Sequence, residues 1–124
     1  MNHLRWGVAA ATLLLAAMPA WAAGDAAAGK AVFNKCRICH SLDAGKTMIG
    51  PSLHGLFGRK AGSLDDFRYS IAMKNYGVVW DEASLDKYLT DPQTVVKGTK
   101  MVFLGLKDPK ERADVIAYLK QATK

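Results

Sequence analysis

Cysteine is almost absent from this chain: Cys36 and Cys39 are the only two in 124 residues, with two residues between them and His40 directly behind. No further cysteine exists to build a disulfide framework, and histidine, at three residues, is nearly as scarce. Acids are outnumbered, 11 Asp and Glu against 17 Lys and Arg, for a formal net charge of +6. The positive charges are spread along the chain (Lys30, Lys35, Arg37, Lys46, Arg59, Lys60, Lys74) and form no tract. Basicity of that kind points to acidic partners and argues against nucleic acid. Internal repeats, low-complexity tracts and alternating strand runs are also missing, and the length points to one domain.

Long apolar runs are lacking too, except at the start. Met1–Arg5 is a short polar opening, Val8–Met18 is apolar, and Pro19 and "AWAA" follow. Ala20-Trp21-Ala22 fits the small-x-small rule, so residues 1–22 are expected to be a cleavable secretory signal peptide and 23–124 the exported domain, in the periplasm. An uncleaved anchor is the alternative, but Trp6–Ala23 only just reaches the roughly 18 residues a span requires, and Pro19 interrupts it. Cleavage removes Trp6 and Trp21, leaving Trp80 as the last of three tryptophans. So small a core calls for a staple: a disulfide, a metal or a cofactor.

Three helical segments are legible. Asp25 is a natural N-cap for a helix-favouring run to Cys36. A second helix starts at Asp81 and must stop near Asp91, because Pro92 disfavours a helical residue before it. In the third, Asp108 caps, Pro109 takes the first helical position and Glu111 sits where a capping box has an acid. Arg112, Val115, Ile116 and Leu119 then make one helical stripe. A shorter helix from Ser70 is expected to end at Gly77. Two long glycine-bearing loops, residues 40–67 and 91–108, make sense if they wrap something apolar.

"KCRICHSL" admits several readings. Structural zinc requires four ligands, and beyond Cys36, Cys39 and His40 only distant His54 is on offer; adjacent Cys39 and His40 could hardly both face one small ion. A redox dithiol opens a helix that follows a strand, whereas this pair closes a helix with no strand before it. A haem thioether site fits best. Two thiols on one helical turn can each add to one of two vinyl groups on the same ring edge, and the next histidine then points a nitrogen at the iron. A closed electron carrier also requires a ligand on the opposite face, and a thioether there raises the reduction potential. Met48 follows His40 too closely, and Met73 reads as core packing. Met101, in the glycine-bearing loop "KGTKMVF", is favoured, with His54 read as a surface or structural histidine.

From "GDAAAGKAVFNKCRICH" through "GPSLHGLFGRKAG", "YSIAMKNYGVVW", "KYLTDP" and "KGTKMVF" to "ERADVIAYLKQATK", the chain resembles class I cytochromes c of the mitochondrial type and the bacterial cytochrome c2 group. The resemblance implies a small all-α cytochrome c fold, three main helices plus loops, around one covalently bound haem c. It implies thioethers at Cys36 and Cys39, and His40 and Met101 as axial ligands. The Pro51 carbonyl would accept the other ring N–H of His40. Tyr88 and Thr99 would lie on the Met101 side, and Arg59, Tyr69 and Trp80 would serve the buried propionates. Phe103 would cover the haem edge, and Gly29 would let the first helix cross the last at Tyr118. Lys97 and Met73 depart from the pattern, which usually has proline and often has asparagine there. The implied function is a periplasmic, monomeric single-electron carrier, not an enzyme. Lys35, Lys46, Lys97, Lys100 and Lys107 would steer it to acidic patches on membrane redox complexes: a cytochrome bc1-type complex, a terminal oxidase or a photosynthetic reaction centre. A haem enzyme or gas sensor would instead need Met101 absent or readily displaced.

Overall fold

A computed structural model describes residues 9–16 and 24–124. The expected cleavage motif Ala20-Trp21-Ala22 lies outside the described residues; residues 9–16 are exposed and form no regular element. No helix among the described residues is long and apolar enough to cross a membrane.

Among the described residues five helices follow in order: α1 (Ala26–Val32), continued by a 3-10 turn over Phe33–Lys35, then α2 (Ile71–Tyr76), α3 (Glu82–Thr90), α4 (Pro92–Val95) and α5 (Pro109–Ala122). Among the described residues there is no strand, only an isolated bridge between Lys60 and Val79. The all-α expectation holds, with α1, α3 and α5 as the three main helices. Each begins at an aspartate whose carboxylate accepts the orphan N–H groups of the first turn. Asp25 accepts from Ala27 and Ala28. Asp81 and Ser84 exchange bonds as a capping box, at 2.7 and 2.9 Å. Asp108 accepts from Lys110 N–H at 2.8 Å. The capping box expected from Glu111 does not form, because that carboxylate turns toward Lys35, 3.8 Å away.

Helix α2 runs from its Ser70 cap to Gly77, where a φ of 76° lets the chain turn out in the left-handed region. Helix α4 falls inside a stretch read from sequence as loop. Asp91 closes α3 and at once caps α4, its carboxylate accepting from the Thr94 hydroxyl at 2.8 Å, and Pro92 takes the first helical position. One turn is too short to show a period.

The main tertiary contact is the crossing of α1 over α5. Gly29 permits it: a Cβ there would lie 2.9 Å from the Tyr118 Cβ and closer still to the Asp114 carbonyl. Beside it the Phe33 and Tyr118 rings meet at 5.3 Å. The buried Asp114 carboxylate accepts Asp25 N–H at 2.8 Å and Lys110 Nζ at 2.6 Å, tying α5 to the start of α1. Helix α3 is joined to α5 by Arg112 Nε on Asp86 at 2.8 Å and by an ion pair between Lys120 and Glu82. Between the helices lie Leu85, Tyr88, Leu89, Val115, Ile116 and Leu119, joined by Phe33, Leu56, Met73, Trp80, Val96 and Leu106. Full burial of each large aliphatic contributes about 1.5–3 kcal/mol.

Candidate functional site

Helix α1 delivers the Cys-x-x-Cys-His stretch. Its 3-10 end unwinds into two overlapping turns, Cys39 N–H to the Cys36 carbonyl at 3.1 Å and His40 N–H to the same carbonyl at 3.0 Å. Both thiols are half-buried and not joined in a disulfide. Burial pushes the Cys36 thiol up to about 11, opposed by Lys35. A dithiol oxidoreductase requires a lowered thiol pKa that yields thiolate near neutrality, so Cys36 is a poor redox nucleophile. No cluster of three or more His, Cys, Asp and Glu suited to a metal ion occurs among the described residues.

His40 is held by the two residues of the next loop. Its Nδ1 lies 2.7 Å from the Pro51 carbonyl, and an N–H there leaves Nε2 as the lone-pair nitrogen. Gly50 flanks the ring: a Cβ at position 50 would stand 2.5 Å from the His40 Cε1. Gly50 N–H donates to the Cys39 carbonyl at 2.8 Å, closing the loop onto the cysteine turn. Burial lowers the His40 pKa, the Pro51 carbonyl raises it and Arg59 lowers it again. A neutral ring, the form a metal requires, is the result.

Met101 is half-buried and packs against the same core as Cys36, as do Phe103 and Tyr69. Tyr88 Oη and Thr99 Oγ1 share a buried hydrogen bond of 2.9 Å, and Met101 N–H reaches that threonine oxygen at 3.4 Å. The predicted pair on the Met101 side is therefore linked to Met101 through Thr99. Trp80, 7% exposed, meets the Tyr88 ring at 5.3 Å with the planes tilted by 47°. Arg59 donates to the carbonyls of Ser52 and His54, each at 3.0 Å, so its guanidinium is oriented by the loop that follows Pro51. Tyr69 meets Phe67 edge-on at 4.9 Å, and burial raises its phenol pKa. Of the alternatives weighed from sequence, Met73 is buried in the core, while Met48 and His54 are exposed.

Two residues went unnoticed in the sequence. Gly50 was visible only as one glycine among eleven. Gln93 of α4 donates to the Met101 carbonyl at 2.6 Å, and nothing in its sequence neighbourhood signals that. The five lysines of the expected steering surface also differ among themselves. Lys35 pairs with Glu111, Lys107 with Asp91 and the Thr90 carbonyl, and Lys100 donates to the Arg68 carbonyl. Lys46 and Lys97 are exposed and make no ion pair among the described residues.

The arrangement fits a haem. A neutral imidazole with one nitrogen held by a carbonyl and a thioether on the same core are donors suited to haem iron, and the two half-buried thiols are the groups that would bond the ring edge. The family model for cytochrome c matches residues 26–123. A cytochrome c2 of Rhodomicrobium vannielii is 51% identical over 120 residues, covering 96% of this chain and 95% of that one. A cytochrome c2 of Blastochloris viridis is 46% identical over 110 residues, covering 88% and 87%. Among solved structures, cytochrome cH from Methylobacterium extorquens superposes with a TM-score of 0.75 at 48% identity, over 79% of this chain and 99% of that one.

Proposed function

Since the chain belongs to the cytochrome c family of electron carriers, which bind one covalent haem c, we propose that it is a periplasmic carrier of single electrons between membrane redox complexes. Cys36 and Cys39 would hold the haem as thioethers, and His40 Nε2 and Met101 Sδ would be its axial ligands. When bound, the haem iron supplies a one-electron ferrous–ferric couple.

The observation that carries this reading is the His40–Pro51 bond of 2.7 Å. It assigns the proton to Nδ1, orients the ring and increases the basicity of Nε2 as a ligand. Met101 would offer a neutral sulfur, which stabilises the reduced state. Tyr88 and Thr99 hold the backbone before that sulfur, and Arg59 and Tyr69 place a cation and a phenol where acidic haem edges would otherwise be costly to bury. Trp80 would serve the same acidic edges. Phe103 would cover the haem edge. The apolar run Val8–Met18 followed by Ala20-Trp21-Ala22 supports export, and Lys46 and Lys97, with the tethered Lys35, Lys100 and Lys107, support a brief, salt-sensitive encounter with acidic surfaces of a bc1-type complex, a terminal oxidase or a reaction centre.

The test is the visible spectrum of the exported protein, oxidised and reduced, together with the mass of its mature chain. Sharp reduced bands, a ferric band at the red end diagnostic of methionine sulfur, and a chain starting at Ala23 are expected. Loss of that red band in Met101→Ala completes the assignment. Haem without the band in the wild type would point to an open-iron enzyme or sensor, and a mass that includes residues 1–22 would point to an anchor.

A further inference from the structure

The segment carrying Met101 is tied to the rest of the chain by few bonds. From Lys100 to Gly105 no backbone group pairs with another backbone group among the described residues; such bonds resume only at Thr99 N–H on the Val96 carbonyl, 3.0 Å, and at Leu106 N–H on the Leu89 carbonyl, 2.7 Å. Val102 and Leu104 are 98% and 86% exposed, so packing secures the alternate residues Met101 and Phe103 and, at the segment's end, Gly105 against the Thr90 carbonyl. Just upstream, Lys97 and Gly98 are exposed and Gly98 has a φ of 93°. Three side-chain bonds remain to hold the segment. Met101 N–H to Thr99 Oγ1, at 3.4 Å, is long for a hydrogen bond. Lys100 Nζ reaches the Arg68 carbonyl at 2.6 Å but anchors the neighbouring residue. Gln93 Nε2, at 2.6 Å from the Met101 carbonyl, grips Met101 itself. Gln93 is the second residue of α4, and the Asp91 cap on Thr94 fixes that turn.

We propose that Gln93 is a positioning residue. By donating to the Met101 carbonyl it fixes the backbone of the residue assigned above as the sulfur ligand, and so governs how easily another ligand displaces that sulfur. The proposal rests on the Met101 reading. It requires a donor at position 93, which sorts the substitutions by chemistry. Q93A removes the donor, Q93E keeps the shape but as a carboxylate can only accept, and Q93K replaces one donor with another.

Imidazole, a neutral nitrogen ligand, is titrated into the haem-loaded ferric protein while the methionine band is followed. One modest hydrogen bond corresponds to roughly three- to tenfold in an equilibrium constant. Q93A and Q93E are therefore expected to bind imidazole roughly three- to tenfold more tightly than wild type, with Q93K returning toward wild type. Guanidinium midpoints of the same variants are expected to stay near wild type, because Gln93 is exposed. With the band present, equal imidazole affinities in wild type, Q93A and Q93E would overturn the proposal alone. So would a Q93K as loose as Q93A. A wild type without the band would remove the Met101 reading, and the proposal with it.

Discussion

Adding one methyl group at Gly29 should be among the most damaging small changes in the molecule. The Cβ of Gly29→Ala would press on the Asp114 carbonyl and lie 2.9 Å from the Tyr118 Cβ. Both are backbone or near-backbone atoms of α5, so no flexible side-chain end can swing away. The helices must part, which loosens the Phe33–Tyr118 contact and the Asp114 bond to Asp25 on either side. Overpacking of this kind costs about 3 kcal/mol at the upper end of its usual range. Alanine returns about 1 kcal/mol through its better helix propensity, leaving a net loss of about 2 kcal/mol. In a domain of this size that lowers Tm by roughly 8–16 °C. Guanidinium unfolding of the haem-loaded protein, followed by far-UV circular dichroism, measures it. Ala31→Gly, at an exposed position of the same helix, is the control and should lose only about 0.5–1 kcal/mol. A Gly29→Ala protein as stable as wild type would refute the reasoning, since propensity would then outweigh the crossing.

Three further outcomes are expected. Tyr88→Phe deletes the buried 2.9 Å bond to Thr99 and should cost about 1–2 kcal/mol with a weakened methionine band; an unchanged denaturation midpoint and an unchanged band would contradict this. Lys110 and Asp25 N–H hold the Asp114 carboxyl below its ordinary range, so its stabilisation is present above the ordinary carboxylate pKa and is lost as pH falls through the depressed folded value. The stability advantage of wild type over Asp114→Asn should therefore be full near neutrality and shrink below about pH 4, as denaturant titrations across pH would show; an advantage that grows on acidification reverses the sign and rejects the argument. Exchanging Lys35 and Lys97 together for glutamate should slow electron exchange with acidic partner membranes by about tenfold at low salt, converging on wild type at high salt; stopped-flow rates indifferent to both charge and ionic strength would sink the steering idea.

How much of this could be seen beforehand depended on the range of the interaction. Caps act within one turn, so Asp25, Asp81 and Asp108 marked their helices by residue type alone. Glu111 did not complete its capping box because a lysine from the other end of the chain, Lys35, competes for it, a contact that no local pattern contains. Helix α4 stayed hidden because one turn has no period, although Asp91-Pro92 carried the chemistry of a helix start. The haem motif was legible because its three members are fixed by the geometry of a single turn. Pro51, Tyr88, Thr99 and Phe103 rested on resemblance, since each depends on folding at longer range. The structure brings Pro51 to His40 and Tyr88 to Thr99. Gln93 was invisible for a different reason: any polar residue on an exposed turn looks like solvent-facing surface until the chain beyond it folds back.

The brace on His40 has a thermodynamic consequence. A free histidine samples several side-chain rotamers and two tautomers, and a ligand that captures it must select one of each. Here the Gly50 backbone beside the ring and the Pro51 carbonyl on Nδ1 make that selection through the peptide geometry of the loop. The ordering of the imidazole is thereby part of chain folding and would not be an added cost in the proposed ligation of iron by His40. Immobilising such a side chain costs about 0.5–1.5 kcal/mol. By the same logic, a mutation that loosens the loop at position 50 or 51 would weaken the proposed ligation entropically while every atom of the His40 ring remained in place.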